Sequence, residues 1–216
     1  MEFLADAGWQ FWLAIVVFSL ITSSIHGATG VAGGFLMAAV LANFVGVKPV
    51  VPIMSIALMV SHSSRTLLNL GNFDRRAFLT VVIPAVPLLA ASAFIYGRLS
   101  SPTVALVLGG IVILSIPVRR WANSHEIRAG TFSLGTAGAV YGALSGLSVG
   151  PGMLLIPFLL GFGLSKEAFV ATLAGIALVA NIVRTSVFGA SEILNFEYVV
   201  LGIIVGIVTI PGNWFG

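Results

Sequence analysis

Nine apolar segments, separated by charges, prolines and glycines, make up nearly the whole chain. They cover residues 9–26, 28–45, 49–70, 77–96, 103–118, 129–149, 153–163, 168–189 and 198–215. A helix needs about 20 mostly apolar residues to cross the hydrocarbon core of a bilayer, and most of these segments approach that length. Only 8% of the 216 residues are charged, against roughly 25% in soluble domains. The sequence therefore predicts an all-α, polytopic transmembrane helical bundle that forms a single domain over residues 1–216.

The charge and cysteine content excludes several other classes of protein. The ten lysines and arginines give a net charge of +3 but are spread along the chain, so the lipid bilayer is the expected partner and nucleic acid is not. Because the chain has no cysteine, disulfides and thiolate metal sites are excluded. No cofactor or metal is predicted, and the sequence leaves open whether the protein is a homo-oligomer. Glu2 and Asp6 stand where a signal peptide has basic residues, so we expect no cleavable signal.

The loops between the segments differ in charge. The second segment is rich in glycine and the seventh is short, which indicates broken helices or re-entrant hairpins; a hairpin leaves the sides of the other loops unchanged. One set of loops then holds two basic residues, and the other holds six: Arg75, Arg76, Arg119, Arg120, Arg128 and Lys166. Since basic loops stay in the cytoplasm, we expect a multi-pass protein of the cell membrane with its N-terminus outside.

The chain contains an internal repeat at a shift of 119 residues. This shift places Arg65-Thr66 on Arg184-Thr185, and it pairs small residues of the first half with glycines of the second: Ser19 with Gly138, Ser23 with Gly142, Gly27 with Gly146, and Gly33 with Gly152. Small residues at every fourth position form a helix face that another backbone can approach closely. We assign repeat 1 to residues 9–120 and repeat 2 to residues 128–216.

Five segments separate equivalent points of the two repeats. Because an odd number of crossings reverses direction, the halves are predicted to be inverted repeats, the architecture in which secondary transporters place a substrate site near the bilayer midplane. A counterpart of the fifth segment would begin after Gly216, so we expect repeat 2 to be without its last helix within these residues, and the sequence leaves open whether the natural chain continues.

The glycine-rich turns Gly27–Gly34 and Gly146–Gly152, each ahead of a short apolar helix, resemble those of the TauE/SafE sulfite exporter family. The segment Asn69–Asp74 resembles that family's loop after the third helix, whereas Pro151 departs from its glycine pattern. The resemblance implies a permease or exporter for a small anion such as sulfite, a sulfonate or a related organosulfur anion. Together with the predicted inverted repeats, it leads us to expect transport by alternating access.

The candidate substrate-binding residues combine intramembrane arginines with the glycine turns. Charges inside a span are costly and usually functional, and guanidinium suits oxyanions. Polar neighbours on the same helix faces and the glycine backbone complete the predicted set: Arg65, Arg184, His62, Asn69, Asn181, Gly30, Gly33, Gly34, Gly150 and Gly152. The residue pattern alone equally allows arginines that snorkel to the headgroups and glycines that only pack helices. Inversion places the two arginines toward opposite faces, which favours two gates over one clamp.

The sequence leaves open whether transport is coupled to an ion, and it leaves two other functions to weigh: a structural subunit and an intramembrane protease. All seven acidic residues lie in loops or at segment ends, so His62 is the one intramembrane group that titrates near neutrality; facilitated export would need no such group. A non-transporting structural or assembly subunit would carry the same repeat. Ser145-Gly146 matches the core of intramembrane serine proteases, but no histidine follows it.

The basic asymmetry predicts that the loop from Arg119 to Arg128 is cytoplasmic. A cysteine introduced by Ser124→Cys should therefore be inaccessible to an impermeant thiol reagent in intact cells and should react after the cells are opened. Rapid labelling from outside would reverse the topology.

Overall fold

The structure, a computed structural model, describes residues 7–29, 32–124 and 128–215. It is helical throughout, and no strand occurs within those ranges. Nine α-helices lie within the described ranges: α1 (Trp9–Thr29), α2 (Ala32–Val45), α3 (Val47–Leu68), α4 (Arg75–Arg98), α5 (Ser101–Ser124), α6 (Thr131–Ser145), α7 (Ile156–Gly161), α8 (Lys166–Ala190) and α9 (Phe196–Phe215). Short 3₁₀ helices cover Leu70–Asn72 and Pro151–Leu154. The all-α prediction is confirmed.

Three of the described helices are long and apolar enough to cross a membrane: α3, α4 and α8. Local chemistry fixes where two of them begin. The Asp74 carboxylate accepts a hydrogen bond from the Ala77 backbone N–H (2.8 Å) at the start of α4, and the Ser165 hydroxyl accepts one from Ala168 (3.2 Å) at the start of α8. Both are helix N-caps. The protein is thus an integral membrane protein with a helical bundle at its centre.

The chain doubles back after α6. This helix has 15 residues, about 22 Å at 1.5 Å per residue, which is shorter than the roughly 30 Å of hydrocarbon in a bilayer. It ends at Ser145 instead of at the predicted residue 149, because the glycine-containing turn begins at Gly146. The short helix α7 then returns to the level of the start, where the Ala129 N–H donates to the Gly161 carbonyl (3.0 Å). The end of α7 thus lies beside the start of α6, as in a helical hairpin.

Helix contacts recur in both halves of the chain. Under the 119-residue shift, α1, α3 and α4 correspond to α6, α8 and α9, and α2 corresponds to Pro151–Leu154 with α7. The α4–α6 contact has its counterpart in α9–α1, and α8–α4 in α3–α9; α3 and α8 pack on each other. The pattern supports the predicted repeat, and the inverted orientation of the two halves stays a prediction.

Glycines allow the backbone of α6 to lie directly against α4. A Cβ atom on Gly138 would lie 2.7 Å from the Val81 carbonyl oxygen, and one on Gly142 would overlap the backbone of Ala85. The Ser92 hydroxyl also donates to the Gly142 carbonyl (3.3 Å). The ladder of small residues seen in the sequence is therefore a helix-packing face, as its spacing predicts.

Replacing Gly142 by alanine should destabilise the protein, because the new methyl group has no space between the helices. Overpacking of this kind costs roughly 1–3 kcal/mol and should lower the thermal unfolding temperature in detergent. Gly135→Ala is the matched control: on the same helix, its Cβ would lie 3.7 Å from the nearest neighbouring atom, the Thr80 carbonyl oxygen. Equal unfolding temperatures for the two variants would contradict this account of the interface.

Candidate functional site

A cavity of about 50 Å³ lies where α3, α6 and α8 meet the glycine turn that follows α6. A cavity needs about 10–15 Å³ to hold one buried water molecule, so this one has room for more than one. Its wall draws on both halves of the chain: Gly34, Leu58 and His62 belong to repeat 1, and the remaining lining residues belong to repeat 2.

Helix α8 supplies the polar side of the cavity. Ala177, Asn181 and Arg184 follow one another at helical spacing and all line it. The Asn181 amide nitrogen donates to the Ala177 carbonyl (2.8 Å), which orients the amide. Its oxygen Oδ1 is buried and has no hydrogen-bond partner among the described residues. The cavity therefore contains an unused hydrogen-bond acceptor.

Arg184 is the charged group of the site. Its side chain is only 3% exposed, and its Nε and Nη1 atoms have no hydrogen-bond partner in the described part of the chain. The ionisable side chains nearest to its charge are Tyr141 and Tyr96, and no carboxylate is among these neighbours in the described part of the chain. A buried cation without a counter-ion is costly, so a ligand that supplies negative charge would relieve that cost.

The two glycine segments bring backbone to the edge of the cavity. Gly150 has a left-handed conformation (φ +92°) that favours glycine. A Cβ atom there would also lie 2.6 Å from the ring of Phe35, which comes from the other half of the chain. A Cβ on Gly34 would lie 3.4 Å from Val149. Each half thus contacts the glycine turn of the other.

The structure brings together six of the ten predicted site residues: His62, Asn181, Arg184, Gly34, Gly150 and Gly152 line the cavity. Gly33 lines a second, smaller cavity next to it. Arg65 and Asn69 are half-buried further along α3 and line neither of these cavities; the Asn69 amide donates to the Arg65 carbonyl (2.9 Å). Gly30 lies outside the described residues. Arg184 is buried in protein, so it does not snorkel to the headgroups.

Sequence reasoning missed Tyr141, Leu58 and Leu173, which also line the cavity. The sequence held one indication of Leu58: the 119-residue shift pairs it with Ala177, and both residues line the cavity. Ser145 is completely buried and lines neither of the two cavities. Within the described residues, no group of histidine and acidic side chains could hold a metal ion.

Comparison with known proteins identifies the family. No curated protein and no solved structure shows significant similarity to the chain. The family model described as sulfite exporter TauE/SafE matches residues 15–216, essentially the whole sequence. The chain therefore belongs to the TauE/SafE sulfite exporter family.

Proposed function

We propose that the protein is a permease that exports a small oxyanion, of the sulfite or sulfonate class, across the cell membrane by alternating access. The observation that carries this proposal is Arg184, a buried cation with unpartnered nitrogens that faces a cavity built from both halves of the chain. Membership in a family of sulfite exporters agrees with it.

The donors of the site match an oxyanion. A guanidinium is planar and presents N–H groups in a fixed geometry that suits two oxygens of one ligand. Sulfite and sulfonates carry three such oxygens around one sulfur. Because the site has one fixed positive charge, a monoanion would leave the occupied cavity close to neutral, which reduces the cost of burying it.

The oxygen of Asn181, which accepts no hydrogen bond from the described residues, further restricts which anions suit the cavity. Asn181 Oδ1 accepts hydrogen bonds but cannot donate them, and it lies in the same cavity as Arg184. A monoanion that also carries an O–H or N–H group would satisfy both residues. Hydrogensulfite with its proton on oxygen is such an ion, and so is a sulfonate with a hydroxyl group.

The position of the site agrees with alternating access. Transporters with repeated halves bind their substrate at the interface between the repeats and rock one half against the other. Here the cavity lies beside the contact of α3 with α8, which joins the two halves. For the cavity to open first to one side of the membrane and then to the other, the two halves would have to tilt about this contact.

Arg184→Gln should abolish most anion binding, because it keeps a hydrogen-bond donor and removes the charge. Hydrogen bonds to charged groups contribute about 1.5–3 kcal/mol, so affinity should fall by roughly 10- to 100-fold. The measurement is the thermal stabilisation of purified protein by sulfite, followed by sulfite flux in proteoliposomes.

Two arginine variants serve as comparisons. Arg75→Gln changes an exposed arginine at the start of α4 and should leave binding unchanged. Arg65→Gln should also bind like the wild type, because Arg65 lines neither cavity. Wild-type binding and flux in Arg184→Gln would refute the proposed site, and absence of any anion flux in the wild type would favour a structural or assembly subunit.

Arg184→Met should make the protein more stable when no anion is present. Methionine has a similar length and no charge, so the cost of burying an uncompensated cation disappears. The unfolding temperature without anion should rise, while the stabilisation by sulfite should vanish. A lower unfolding temperature would mean that Arg184 has a structural partner in the empty protein.

A further inference from the structure

A second cavity, of about 20 Å³, lies beside the first between α1, α2, α3 and α9. Gly34 and Leu58 line both cavities. The wall between the two spaces is therefore formed by a glycine without a side chain and by one half-buried leucine.

The two cavities are built from equivalent positions of the two repeats. Thr22, Gly33, Met54 and Leu58 line the second cavity, and adding 119 to each number gives Tyr141, Gly152, Leu173 and Ala177, which line the first. A shift read from the sequence thus relates two separate spaces in the structure. The second cavity is the counterpart of the site around Arg184 in the other half.

The chemistry of the second cavity is weaker than that of the first. Among the residues that the structure describes, no charged side chain lines it. Three of its hydroxyl groups donate to carbonyls of their own helices: Thr22 to Phe18 (2.7 Å), Ser23 to Leu20 (3.0 Å), and Thr209 to Gly206 (2.7 Å). The second cavity therefore offers an anion less charge than the first, as is expected of a place from which a ligand must leave.

We propose that the second cavity is the other half of a single anion pathway, and that Leu58 is the barrier between the halves. This inference rests on the proposed function. An anion held by Arg184 would pass the Leu58–Gly34 junction into the second cavity when the two halves tilt. At the equivalent position on the other side of the junction, the first cavity has only the methyl group of Ala177.

Adding and removing bulk at the junction should change flux in opposite directions. Gly34→Ala places a methyl group 3.4 Å from Val149, which the fold accommodates; it should slow sulfite flux in proteoliposomes by about tenfold, equivalent to about 1.4 kcal/mol on the barrier. Leu58→Ala should raise flux. Stabilisation by sulfite is measured alongside flux: flux that changes while sulfite still stabilises the variant supports a barrier at the junction, and loss of the stabilisation would assign the change to the binding site instead.

Matched controls separate the junction from general packing effects. Gly135→Ala adds the same methyl group away from both cavities, and Leu108→Ala removes a half-buried leucine that packs against the same core cluster as Leu58. Both controls should transport like the wild type. If Gly34→Ala and Leu58→Ala also transport like the wild type, the pathway is wrong while the proposed function stands. If the wild type neither binds nor transports an anion, both fail.

A labelling experiment tests the pathway without relying on the fold of Leu58→Ala. The chain has no cysteine, so Ser61→Cys places a single thiol on the second cavity. Sulfonatoethyl methanethiosulfonate should modify this thiol and block flux of methanesulfonate, and saturating methanesulfonate should slow the modification. Failure to modify the thiol, or undiminished flux in the modified protein, would overturn the assignment of this cavity to the pathway.

Discussion

The packing of α3 against α8 is the contact on which the rest of the architecture depends. These are two of the three helices long and apolar enough to cross a membrane, and they begin 119 residues apart, at Val47 and Lys166. Each also packs against the fourth helix of the opposite repeat, α3 on α9 and α8 on α4. Because lipid provides no hydrophobic force between helices, close van der Waals packing has to hold such a centre together. The candidate site lies where this packing leaves space.

The same contact positions the charge of Arg184, which lies on α8 in the wall of the candidate site. A buried arginine with two nitrogens that have no partner among the described residues lowers the stability of the empty protein, and this cost is what makes Arg184 the candidate anion-binding group. Helix α8 holds Arg184 in place through buried neighbours on both sides of it, including Ala180 and Phe188. The guanidinium of Arg184 therefore stands at a fixed position in the wall of the cavity.

Periodicity and composition predicted the helical fold. The repeat drew attention to His62, Asn181 and Arg184 as candidate binding residues, and these three line one cavity. These sequence patterns could not predict that Arg65 and Arg184 would differ in environment, although both stand in an Arg-Thr pair. The difference arises from other elements, since the tyrosines near Arg184 come from α4 and α6. Nor could the sequence separate Leu58, which lines both cavities, from the leucines of the core. Apolar side chains carry the same pattern in either place, and only packing distinguishes them.

The length of α6 has a consequence for the order in which the protein assembles. A helix of 15 residues is too short to rest across a bilayer by itself. Its glycine face matches the backbone of α4, a helix that is synthesised earlier and is long enough to be retained in the membrane alone. We therefore expect the hairpin formed by α6 and α7 to depend on α4 for its place in the membrane, because α4 provides the surface against which the glycine face of α6 packs.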